Sequence, residues 1–121
     1  MTVREAIRRT VELYPNVIPF SQKAYLLEQL DNRVFNEILV KYDDIDCSFE
    51  SGYQENQDAQ LVIKAPFEEI YIKYLVMQLD IINSDITRYQ NSYALFNTMY
   101  LDYIRYINRN HTIKACRISI D

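Results

Sequence analysis

The sequence predicts an all-α fold: a small bundle of about four helices with a long acidic loop and an extended C-terminal tail. Three observations carry this expectation. Gly52 is the only glycine in 121 residues, and sheet-rich folds need glycine in their tight turns. Ile86, Tyr89, Tyr93, Phe96, Tyr100, Tyr103 and Ile107 recur at alternating spacings of three and four, the seam of a helix packed along its whole length. The chain also has the length of one domain, with a core that needs no disulfide or metal to hold it.

The first helix is expected over 3–14. Thr2 can cap it, and Glu5 stands three residues on, as in a capping box. Val3, Ile7, Val11 and Tyr14 fall on one face. Pro15 stops the helix, because the residue before a proline is pushed out of the α region, and Pro19 ends a short extended connector. The second helix is expected over 22–42. Ser21 is its cap, and Phe20 and Tyr25 form a hydrophobic staple. Its apolar face runs through Leu27, Leu30, Val34, Ile38 and Tyr42.

Residues 43–65 read as a long loop, a type often tied to function. Within it Leu61-Val62-Ile63 is either an isolated strand or a buried lead into the next helix. That third helix is expected over 66–82. Pro66 suits the first helical position, and Glu68 and Glu69 suit the positive end of the dipole. Phe67, Ile70, Tyr74, Met77 and Ile81 mark its face. Asn83-Ser84-Asp85 is taken as a boundary, with Ser84 or Asn83 capping the last helix, 85–109. One helix from Pro66 to Arg109 would be about 66 Å long, too long for a compact domain. Residues 110–121 lose the helical period and read as a strand-like tail. There Ile118 and Ile120 share one side, and Arg117 and Ser119 the other.

The net charge is −4, which weighs against general nucleic-acid binding. The charge is unevenly placed. Asp43, Asp44, Asp46, Glu50, Glu55 and Asp58 follow one another without a Lys or Arg, whereas the C-terminal part carries Arg105, Arg109, Lys114 and Arg117. Such runs are either solvated segments or complementary patches for head-to-tail assembly. The candidate interface residues are therefore Asp43, Asp44 and Asp46 on the acidic side. On the other side they are Arg109, Lys114 and Arg117, with Ile118 and Ile120 as apolar contacts.

Nothing points to chemistry. The single histidine, His111, has no neighbouring Cys or carboxylate in sequence, so neither a triad nor a zinc spacing is suggested. Cys47 and Cys116 form no CxxC pair, and free thiols in a reducing compartment are expected. There is no GxGxxG, phosphate-binding loop or HExxH. The expectation is a non-enzyme with no catalytic residues, no cofactor and no metal. No secretory signal or membrane span of about 20 apolar residues is visible.

The second half carries a resemblance. Ala65-Pro66-Phe67-Glu68-Glu69-Ile70-Tyr71, then Tyr74-Leu75 and Gln78-Leu79-Asp80, are similar to a group of prophage proteins of low-GC Gram-positive bacteria. So are Arg88-Tyr89-Gln90-Asn91-Ser92-Tyr93-Ala94-Leu95-Phe96-Asn97, Tyr100, Tyr106-Ile107-Asn108-Arg109, and the opening Thr2-Val3-Arg4-Glu5-Ala6-Ile7. This group resembles the head–tail connector (head-completion or neck adaptor) proteins of tailed phages. The chain departs from the group in having Asn83-Ser84 where Asn-Gly is usual. The resemblance implies a helical subunit of a closed ring of about a dozen copies. That ring would sit between the portal protein and a further neck or tail-completion protein. It would extend the channel, with DNA passing through unbound by specific contacts. The implied location is the virion neck, after synthesis in the bacterial host cytoplasm. The alternative is a small helical prophage regulatory or protein-interaction module that binds a host partner.

Overall fold

The computed structural model describes residues 1–42 and 52–110. Four helices form among them: α1 (Val3–Leu13), α2 (Phe20–Glu37), α3 (Glu69–Ile82) and α4 (Ile86–Asn110). The protein is all-α, as its spacing predicts; pairing of the sheet type is seen as an isolated antiparallel bridge between Thr2 and Gln60.

Helix α3 is the centre of the bundle and packs against α1, α2 and α4. It buries Ile70, Tyr71, Ile72, Leu75, Met77 and Leu79. A helix that is apolar around much of its girth belongs inside. Ile81, expected on the buried face, is 46% exposed, because α3 ends one residue later and the chain turns away.

Several helix ends differ from the sequence expectations. Thr2 Oγ1 does accept from Glu5 N, at 3.2 Å. The buried face of α1 is Val3, Ala6, Ile7 and Thr10; Val11 lies at its exposed edge, and Thr10 reaches the core by donating its hydroxyl to Ala6 O at 2.8 Å. Helix α2 starts at Phe20, with Pro19 as its cap residue and no side-chain cap bond. Pro19 O takes the first helical bond, from Lys23 N at 3.2 Å. Ser21 therefore lies inside the first turn, and Phe20 and Tyr25 do not occupy the staple positions. At the other end α2 stops at Glu37 instead of running to Tyr42. Lys41 N and Tyr42 N reach back three residues, to Ile38 O and Leu39 O, forming a 3₁₀ turn over Leu39–Lys41. The tighter turn points Ile38, Leu39 and Tyr42 into the core and leaves Val40 exposed.

Residues 61–63 are the buried lead and not a strand: Leu61, Val62 and Ile63 are all buried. Pro66 is not the first helical residue. It stands in a turn before α3, and the Ala65–Pro66 bond is cis. Ile70 N and Tyr71 N bond three residues back, to Phe67 O and Glu68 O, so the α geometry begins only at Glu69.

The break between α3 and α4 lies where it was expected, but with different chemistry. Asn83 closes α3, and Ser84 takes a left-handed φ of 56°. Ser84 N donates to Ile81 O and Asp85 N to Asp80 O, both at 3.0 Å, the paired bonds of a Schellman end. With Asn83 and Ser84 so used, the cap of α4 is Asp85, whose Oδ1 accepts from Arg88 N at 3.1 Å. Helix α4 then runs to Asn110, one turn-position further than the predicted 109.

Candidate assembly surfaces

The loop that leads into α3 is held from α2. Gly52, at a φ of +98°, supplies a backbone shape that side-chain-bearing residues rarely adopt. Its N–H donates to Glu28 Oε1 at 2.6 Å, and Tyr53 N donates to the same oxygen at 3.0 Å. Three residues further along α2, Asp31 is fully buried. Its Oδ2 accepts from Tyr53 OH at 2.5 Å and Val62 N at 3.1 Å, and its Oδ1 accepts from Tyr71 OH at 2.5 Å. Tyr71 OH in turn accepts from Ile63 N at 2.6 Å. One carboxylate therefore ties together α2, two points of the loop and α3. Burial raises the Asp31 carboxyl above its ordinary range, while the two tyrosine hydroxyls and Val62 N–H pull it back down. Burial and the neighbouring Asp31 charge push Tyr71 well above the ordinary tyrosine value.

The loop is also held by the amino-terminal segment. Val3 N donates to Ala59 O, Arg4 N to Gln57 O and Leu61 N to Met1 O. The Met1 amine pairs with Glu68 at 2.5 Å, Arg4 with Asp58 at 2.7 Å, and Arg9 with Glu69.

A second buried carboxylate organises the α3–α4 end of the bundle. Asp80 accepts from Tyr14 OH at 2.8 Å and from the Ser92 hydroxyl. This joins the end of α1 to α3 and α4. The Arg88 guanidinium lies 4.8 Å over the Tyr14 ring. The Tyr14 hydroxyl is raised, chiefly by its bond to Asp80. Beside this cluster is an open hollow of about 320 Å³, lined by Asp80, Ile81, Ser84, Asp85, Ile86 and Tyr89. Ile81 and Ile86 of its lining are exposed, and so is Ile82 beside them.

The α4 seam divides into two halves. Phe96, Tyr100, Tyr103 and Ile107 are buried against the bundle. Tyr74 and Phe67 of the α3 side meet Phe96 and Tyr103 with ring centroids 5.3 and 5.4 Å apart. In the other half Tyr89 is partly buried against the core, while Ile86 is 72% and Tyr93 47% exposed. The seam is thus fully buried only in its C-terminal half. The buried Tyr100 hydroxyl has no hydrogen-bond partner among the described residues, although the Arg33 guanidinium sits 5.1 Å over its ring.

Of the candidate interface residues, Arg109 is exposed in the last turn of α4. Asp43, Asp44, Asp46, Lys114, Arg117, Ile118 and Ile120 lie outside the described residues. Their attachment points are nevertheless visible. Tyr42, which precedes the acidic stretch, donates its hydroxyl to Asn108 of α4, next to Arg109 and two residues before Asn110, the last described residue. Tyr42 and the last turn of α4 therefore lie at one corner of the described fold. Asp31, Asp80 and the hollow were not singled out from sequence. The usable signal was a carboxylate on an apolar stripe: Asp31 falls between Leu27 and Val34, and Asp80 three residues after Met77.

Comparison with protein-family models, curated proteins and solved structures gives no match to this chain. Among the described residues no helix is long and apolar enough to cross a membrane.

Proposed function

We propose that this chain is a structural head–tail connector of a tailed phage. In this reading it is a subunit of a ring between the portal protein and the next neck or tail-completion protein, and it extends the DNA channel. The observation that carries the reading is the divided seam of α4. Its spacing is continuous over Ile86–Ile107, yet only Phe96, Tyr100, Tyr103 and Ile107 are fully buried in the chain's own core, Tyr89 is partly buried against it, and Ile86 and Tyr93 are exposed. A stripe of this kind is normally buried throughout, so the exposed part, with Ile86 and Tyr93, is a surface for another subunit. The exposed Ile81, Ile82 and Ile86 at the α3–α4 turn support the same reading. A net charge of −4 suits a channel part that DNA passes without adhering. The resemblance in both halves of the sequence supplies the particular assembly.

The test is genetic. Removing the gene from the prophage and inducing it should yield DNA-filled heads without tails, and supplying the chain should restore complete particles. Intact infectious particles in its absence would overturn the connector reading and favour a module acting on a host partner.

A further inference from the structure

We propose that the open hollow at the α3–α4 turn receives the C-terminal segment Arg117-Ile118-Ser119-Ile120 of a second copy of this chain. The inference rests on the ring reading and specifies one of its contacts. The hollow offers two kinds of lining. Ile81, Ile86 and Tyr89 form apolar walls, and Asp80 and Asp85 are its carboxylates. Asp80 already accepts from Tyr14 and Ser92, one on each oxygen. Asp85 uses Oδ1 to cap α4, and its second oxygen takes no hydrogen bond among the described residues. The residues that line the hollow include no Lys or Arg, and the Arg88 guanidinium lies over the Tyr14 ring. The site therefore suits a ligand with apolar side chains and one cationic group.

The chain's own C-terminus has that composition. In an extended strand, Ile118 and Ile120 project to one side and Arg117 to the other. A pair of isoleucines answers the apolar walls, and a guanidinium answers Asp85.

Chain geometry decides that the donor is another copy. The segment begins after Asn110, at the end of α4 opposite the hollow. From Asn110 back to Ile86 along the helix is about 36 Å. Ile118, eight residues beyond Asn110, reaches at most about 29 Å from it. Arg117, seven residues beyond Asn110, reaches at most about 25 Å, whereas Asp85 is about 37 Å back along the helix, so a chain cannot bring Arg117 to its own Asp85 and the donor is a second copy. Donor and receptor are different patches at opposite ends of α4, so a contact that is not reciprocated propagates from copy to copy, closing into a ring when the rotation allows.

The test is fluorescence anisotropy of a labelled peptide of residues 111–121 titrated into the full-length chain. Saturable binding is expected. Ile86→Asp in the full-length chain should weaken it at least about tenfold, the worth of one buried aliphatic contact. Ile86 is 72% exposed, so circular dichroism of the variant should match that of the parent. Asp85→Asn should weaken binding and flatten its salt dependence. A peptide carrying Ile118→Asp and Ile120→Asp should not bind. Equal binding to the Ile86→Asp chain would overturn the proposal. So would binding lost only when Asp43, Asp44 and Asp46 are neutralised, which would place the segment on the acidic stretch instead. A ring that forms undiminished from the Ile86→Asp chain removes this contact and leaves the connector reading. Peptide binding by a chain that makes no ring on its portal keeps the contact and removes the ring.

Discussion

Asp31 shows how much one side chain decides in a domain of this size. It is ionisable, fully buried and surrounded by donors from three parts of the chain: Tyr53, Val62 and Tyr71. Replacing it with alanine strands the Tyr71 hydroxyl proton and the Val62 N–H away from water and removes the bond from Tyr53. Each such orphan costs about 1–3 kcal/mol, so Asp31→Ala should lose about 3 kcal/mol or more of stability in urea unfolding. The raised Asp31 carboxyl also fixes a pH dependence. Between the ordinary value of 3.8 and its higher folded value, the folded chain keeps a proton that the unfolded chain has lost. Stability therefore falls as pH rises through this window. Measured against Asp31→Asn, the parent should lose relative stability from acid toward neutral pH; a constant difference would contradict the assignment. The position of Asp31 on the α2 stripe was legible in the sequence, but its partners were not. Tyr53 and Val62 lie 22 and 31 residues away in sequence, and periodicity carries no information about which loop returns to which helix.

At the scale of the element, the four helices were legible because apolar spacing is a property of a local window. Their ends were less so. The start of α2 depended on whether Pro19 or Ser21 received the first bond, and the proline, already extended, took it. The end of α2 depended on Ile38, Leu39 and Tyr42 all reaching the core, which a 3₁₀ turn allows. The α3–α4 turn tests this level directly. Ser84 holds a φ of 56° in the position a Schellman end reserves for glycine. Ser84→Gly removes the strain on a side-chain-bearing residue there and should raise stability by about 1 kcal/mol, read as a higher urea midpoint with an unchanged slope. A lower midpoint would show that the Ser84 side chain, not its backbone, matters at the rim of the hollow.

For the molecule as a whole, fold and assembly part company. The core draws on all four helices and on the loop clamped by Asp31, so the chain needs no partner to bury it. The exposed Ile86 and Tyr93 of the α4 seam and the hollow beside them contribute little to that core, and they are what the connector reading uses. The sequence showed the seam as one continuous feature. Its division into a fully buried and a partly exposed half could not be read there, because spacing identifies a face without saying what covers it. The most direct test of the central claim is the mass of the purified chain by light scattering, over a concentration series and then with its portal protein. The account predicts a closed species of about a dozen copies, formed alone or on the portal. A 14.5 kDa monomer that stays monomeric at every concentration and ignores the portal would contradict it.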